Sequence, residues 1–155
     1  MIILHHINEE NFKIAINNLK KVRDKKVSEV VYKYAHIFFR EEIEETVELL
    51  IKSIQDFNPV KLIPGFMNIP PEKRSYGIEL LRYSIKELKC RQKSIHNILI
   101  FFYATTVRTK EQKEELMELI KGGLHFDEDF ALRLFKRHNL HEAQILVYGN
   151  MGLYR

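Results

Sequence analysis

Apolar residues recur along the chain at intervals of three and four, the spacing that gathers side chains on one face of a helix, and strand-like alternation is scarce. Val27, Val30, Val31, Tyr34 and Phe38 fall at i, i+3, i+4, i+7 and i+11 and predict one helical stripe. Ile43, Val47, Leu50, Ile51 and Ile54 repeat it in a second helix. The first turns of that helix carry Glu41, Glu42, Glu44 and Glu45, where the positive end of the helix dipole favours carboxylates. The two helices are expected to lie antiparallel.

Asn58-Pro59 reads as an N-cap followed by a proline whose missing N–H does no harm in a first turn, so a short helix begins there. Pro64-Gly65 is expected to kink or end it, and Asn68-Ile69-Pro70-Pro71 to form a turn. A longer helix then carries Ile78, Leu81, Ile85 and Leu88 as its core stripe, and the polar residues from Lys89 to Ser94 lead to the next. Ile95 to Ala104 is apolar on nearly all sides and needs neighbours all round.

Thr109 with Gln112 fits a capping box, Leu116, Met117 and Ile120 follow as an apolar face, and Gly122-Gly123 stops that helix. Asp127, Glu128 and Asp129 open another, with Phe130, Ala131, Leu134 and Phe135 inward and Lys136 and Arg137 in its last turn. A final helix runs from about His141 to Tyr148.

These elements predict an all-α fold of about nine helices with short connections and several apolar surfaces in place of one central seam. That is the pattern of an α-solenoid of stacked antiparallel helix pairs, with a repeat of about 30 to 40 residues. Gly149 to Arg155 reads as a turn leading towards a further helix, so the chain is expected to be a single solenoid segment, residues 1–155, of a longer protein.

Composition narrows the classes further. The 155 residues have the length of one domain, and 45% hydrophobic with 30% charged residues is enough apolar content to build a core, which argues against disorder. Lys and Arg exceed Asp and Glu by only four, so charge alone implies no nucleic-acid partner. The single cysteine, Cys90, can close no internal disulfide, which favours a reducing, cytosolic setting. The opening Met1-Ile2-Ile3-Leu4 is too short for a signal peptide, and Ile98 to Ala104 is far short of a bilayer span.

Phe126-Asp127, Ala131-Leu132-Arg133-Leu134, His138, Ala143, Val147-Tyr148 and Leu153-Tyr154, in that order, resemble the deep orange or Pep three family, the class C vacuolar protein sorting subunit eighteen. The likeness continues back through Ile95-His96-Asn97 with Tyr103-Ala104, Leu62-Ile63-Pro64 with Asn68, and Tyr32-Lys33-Tyr34-Ala35 with Thr46-Val47. Ala-Leu-Arg-Leu followed by a Leu-Tyr turn also occurs in clathrin heavy-chain repeats. Pro70-Pro71 departs from the polar loop of that family, and Arg155 stands where the family continues with an acidic helix start.

The resemblance implies an N-terminal β-propeller and a C-terminal RING-type zinc finger elsewhere in the parent protein. It also implies a non-catalytic scaffold in the HOPS and CORVET complexes, which tether endosomal and vacuolar or lysosomal membranes before SNARE-driven fusion. The partners it implies are the other class C vacuolar protein sorting subunits. Its location would be cytoplasmic, peripheral to endosome and vacuole membranes. No cofactor, small-molecule substrate or nucleic acid is expected.

Candidate chemistry is sparse. His138 and His141 straddle a turn with no partners to complete four metal ligands, and Cys90 has no local base. Glu41 to Glu48 reads as a solvated acidic face, and Lys20, Lys21, Arg23, Lys25 and Lys26 as a solvated linker. Gly122-Gly123 follows no strand and so lacks a phosphate-loop context, and His96 is expected to make a buried hydrogen bond to a neighbouring repeat. Tyr148, Met151, Leu153 and Tyr154 are the candidate protein contacts, an apolar end that would pack on whatever follows. The alternative function is a helical-repeat binding module, a clathrin-like coat or a peptide or nucleic-acid binder.

Overall fold

Proline and capping residues set the helix boundaries, and apolar stripes set what each helix buries. The computed structural model describes residues 11–22, 26–106 and 109–150. The described residues form nine α-helices and no strand: α1 (Phe12–Lys21), α2 (Lys26–Glu41), α3 (Ile43–Glu48), α4 (Ile63–Phe66), α5 (Arg74–Lys86), α6 (Lys93–Thr106), α7 (Lys110–Lys121), α8 (Glu128–Arg137) and α9 (His141–Asn150). A π-helical turn, Leu49–Ile54, continues α3, and 3-10 turns Pro59–Leu62 and Pro71–Lys73 lead into α4 and α5. The chain divides at Leu88 and Lys89 into two compact units.

In the first unit α2 packs on α4, while α3 packs on α1, α2 and α5. α1 corrects the expectation of a linker at Lys20: Ala15, Ile16 and Leu19 are buried on one helical face, and Lys20 and Lys21 occupy its last turn. Arg23 and Lys25 lie outside the described residues. The centre of the unit is aromatic. Phe39 and Phe66 meet edge-on with ring centroids 5.3 Å apart, and both are buried with Phe38, Leu49, Leu50 and Leu62. Burying a side chain of this size contributes about 1.5–3 kcal/mol.

The buried faces at the end of α3 and in α5 differ from the sequence-based expectation. The π-helical turn widens the end of α3, so Leu49 and Leu50 are buried and Ile51 and Ile54 are half-buried. In α5 the buried stripe is Gly77, Leu80, Leu81 and Ser84, with Ile78, Ile85 and Leu88 only half-buried. Ser84 Oγ donates to the Leu80 carbonyl at 2.8 Å, which removes its polar cost. The helical run that starts at Pro59 changes from 3-10 to α at Ile63 and ends at Phe66, directly after Pro64-Gly65; Pro64 itself sits in the first turn of α4, where its missing N–H has no intrahelical partner to lose. The Asn58 cap forms as expected, its side chain accepting the Val60 N–H at 3.1 Å.

The second unit is built around α6, whose Ile95, His96, Ile98, Leu99, Ile100, Phe102, Tyr103 and Ala104 are all buried. α8 packs against α6 and α9, and α9 also packs on α7. The capping box of α7 is complete: the Gln112 N–H donates to Thr109 Oγ1 and the Thr109 N–H to Gln112 Oε1, each at 3.2 Å. Gly123, at φ +86°, turns the chain out of α7. Asp127 caps α8 by accepting the Phe130 N–H at 3.3 Å. α9 runs on through Gly149 to Asn150, beyond the end expected at Tyr148.

Candidate contact surface

α9 has two apolar faces. Ala143 and Val147, four residues apart, are buried against the rest of the unit, whereas Ile145 and Tyr148 leave 54% and 40% of their surface exposed. Asn139, in the left-handed conformation at φ 57°, ends α8, and the Leu140 N–H donates to the Phe135 carbonyl at 2.8 Å. This turn brings the first residues of α9 beside α7 and leaves an open cavity of about 180 Å³. Leu116, Met117 and Leu140 contribute apolar surface to it, and Lys113, His141 and Glu142 charge and hydrogen-bonding groups. Such a cavity can take one apolar side chain of a partner.

Tyr148, the one candidate contact within the described residues, is therefore exposed; Met151, Leu153 and Tyr154 lie outside them. Ile145 is a contact candidate that the sequence reading passed over. No local signal marks it, because the open side of α9 is set by the burial of Ala143 and Val147.

The polar candidates are distributed otherwise. His138 ends α8 and His141 begins α9, both exposed. Among the described residues no group of three His, Cys, Asp or Glu side chains is placed to hold a metal ion. Cys90 is half-buried in the loop before α6. His96, 2% exposed, is bonded through both ring nitrogens: its Nδ1 accepts the His125 N–H at 2.8 Å from beyond α7, whereas its Nε2 lies 2.8 Å from the Cys90 carbonyl oxygen in the loop before its own helix. Burial holds the His96 imidazole below its ordinary pKa of 6.5; the Cys90 carbonyl opposes this and His125 adds to it.

The acidic run at the start of α3 is not wholly solvated. Lys20 Nζ lies 2.7 Å from Glu45 Oε2 and 3.4 Å from Glu48 Oε2. The Lys20 hydrogen bond holds the Glu45 carboxyl below its ordinary value against partial burial, and the Lys20 charge and that of Lys13 act in the same direction. Burial works against the Lys20 ammonium, but the Glu45 and Glu48 bonds and charges outweigh it and raise its pKa. A larger open cavity of about 570 Å³ beside this ion pair is bordered by Lys20, Lys52 and Asp56, charges of both signs that select for neither anion nor cation. No helix among the described residues is long and apolar enough to cross a membrane.

Two comparisons with known proteins agree. A family model described as VPS18, alpha-solenoid domain, second half, matches residues 1–155. The chain is 25% identical over 163 residues to the vacuolar protein sorting-associated protein 18 homolog of Danio rerio, covering 99% of this chain and 16% of that protein. The chain thus spans a small part of the length of that relative.

Proposed function

The chain belongs to the VPS18 family of α-solenoid domains, second half, and from that membership we propose that it is a non-catalytic scaffold segment of a core subunit of the HOPS and CORVET membrane-tethering complexes. In this role it holds the partner-binding ends of its parent protein at a fixed separation while endosomal and vacuolar or lysosomal membranes are docked for SNARE-driven fusion. Its partners are the other class C vacuolar protein sorting subunits, and its setting is the cytoplasmic face of those membranes. The observation that carries this reading is the family match over the whole chain. The helical packing supports it, because side chains spent on apolar burial in both units are what a spacer requires.

The face of α9 that exposes Ile145 and Tyr148 is the contact end in this reading, and Met151, Leu153 and Tyr154 follow it in the sequence. It receives the next helices of the parent protein or a partner subunit. The test is affinity capture of the full-length parent from its own cells, as wild type and as the Ile145→Asp, Tyr148→Asp double variant. Wild type is expected to recover the other class C subunits and the double variant to lose part of that set. Recovery of clathrin light chains, or of RNA with its binding proteins, in place of those subunits would overturn the reading in favour of a helical-repeat binding module.

A further inference from the structure

The two hydrogen bonds of His96 fix its protonation state. The His125 N–H can only donate, so Nδ1, which accepts it at 2.8 Å, carries no proton. The Cys90 carbonyl can only accept, so Nε2, 2.8 Å away, carries one. The ring is thus the neutral Nε2–H tautomer, buried, and it ties the loop before α6 to the connection between α7 and α8. A second proton on Nδ1 would set donor against donor and place a charge on a ring that is 2% exposed.

We propose that His96 is an acid-released latch: protonation of Nδ1 frees the α7–α8 connection at His125 while the helices on either side stay folded. The connection is built for a local release. On one side the Gly122 N–H is held by the Glu118 carbonyl at 2.9 Å, and on the other the Asp127 N–H is held by Asn97 Oδ1 at 2.7 Å. Between them Gly123 has positive φ and open space around it, and the His125 side is exposed. The titratable and charged groups on the surrounding elements are Lys89, Cys90 and Arg91 before α6, Lys93 at its start, Glu118 and Lys121 at the end of α7, His125 after it, and Asp127, Glu128 and Asp129 at the start of α8. Of these, His125 contributes a ring whose centroid lies 5.6 Å from that of His96, so a charge there opposes a charge on His96.

Amide hydrogen exchange on the full chain between pH 7.5 and 5 tests the latch, with Asp127 as internal control because its acceptor does not titrate. Protection of the His125 amide, corrected for intrinsic exchange, is expected to fall by up to tenfold per pH unit below about 6.5, while that of Asp127 holds. A flat His125 profile, or an equal fall at both amides, would overturn the proposal. His96→Gln keeps one donor and one acceptor without titrating, and it should flatten the His125 profile; persistence of the pH dependence in that variant also counts against the latch. Independently of any variant, ¹⁵N imidazole shifts of the wild type should show a bare Nδ1 at pH 7 and a midpoint below 6.5. A protonated Nδ1 at pH 7, or a midpoint at or above 6.5, would refute it.

Discussion

Gly65 lies against the ring of Phe39 so closely that a Cβ built on it would stand 2.8 Å from two ring atoms. Phe39 is fully buried and is held edge-on by Phe66, so the ring has nowhere to go. Gly65→Ala is therefore expected to destabilise the first unit by about 1–3 kcal/mol, although alanine is the better helix former. Thermal unfolding read by circular dichroism should show a fall in Tm of several degrees; an unchanged Tm would mean that the contact relaxes freely.

Leu99 in α6 is fully buried and Leu134 in α8 is 7% exposed. Truncation to Ala is expected to cost about 2–5 kcal/mol at either position, with Leu99 at the upper end because its cavity is enclosed. Urea unfolding of the two variants checks the order, and a larger loss at Leu134 would show that α8 and not α6 centres the second unit.

Capping gives smaller effects that can be separated from packing. Thr109→Ala removes one half of the capping box of α7, and Asp127→Ala removes the cap of α8. Each should cost about 0.5–2 kcal/mol. Asp127→Asn, which keeps an acceptor oxygen, should recover most of the loss in a melting curve, whereas a purely electrostatic role for Asp127 predicts no recovery.

The Lys20–Glu45 pair should matter little at neutral pH, since ion pairs at the surface are worth about 0–1 kcal/mol. Its pH dependence has a definite sign. Glu45 is depressed in the folded state, so its contribution is complete above the ordinary carboxyl value near 4.5 and is lost as pH falls through the lower folded value. Lys20 is raised, so its contribution is present below 10.5 and is lost as pH climbs through the higher folded value. Stability of wild type minus Glu45→Gln, measured from pH 3 to 7, should shrink at the acid end and in high salt; a difference that grows on acidification would mean that the geometry of the pair does not persist in solution.

How far the fold could be read from the chain depends on what local signals record. The all-α α-solenoid, the Thr109 and Asp127 caps and the buried surround of α6 were legible, because each rests on a local spacing or on a residue with a strong positional preference. The face of α5 was not, since ranking by hydrophobicity favours Ile78 and Ile85 over Gly77 and Ser84, which are nonetheless the buried positions. The π-helical turn after Glu48 escaped for a related reason: periodicity assumes a constant turn. His96 could be read as buried and bonded, but its partner at His125 is 29 residues away in the chain. Ile145 was missed because an apolar residue in an apolar helix gives no sign of which side is open, and only the packing of Ala143 and Val147 reveals it.

His96 and Asn97, neighbours on α6, accept the amides of His125 and Asp127, two residues apart on the connection. The amides two residues apart both point to α6, the two-residue register familiar from strand pairing. Surface connections generally tolerate length changes, but a single residue inserted between His125 and Asp127 would turn one of the two amides away from its acceptor. An insertion between Gly122 and Gly123 would disturb neither bond. The connection is thus expected to accept added residues at its glycine end, while the spacing from His125 to Asp127 is held by α6.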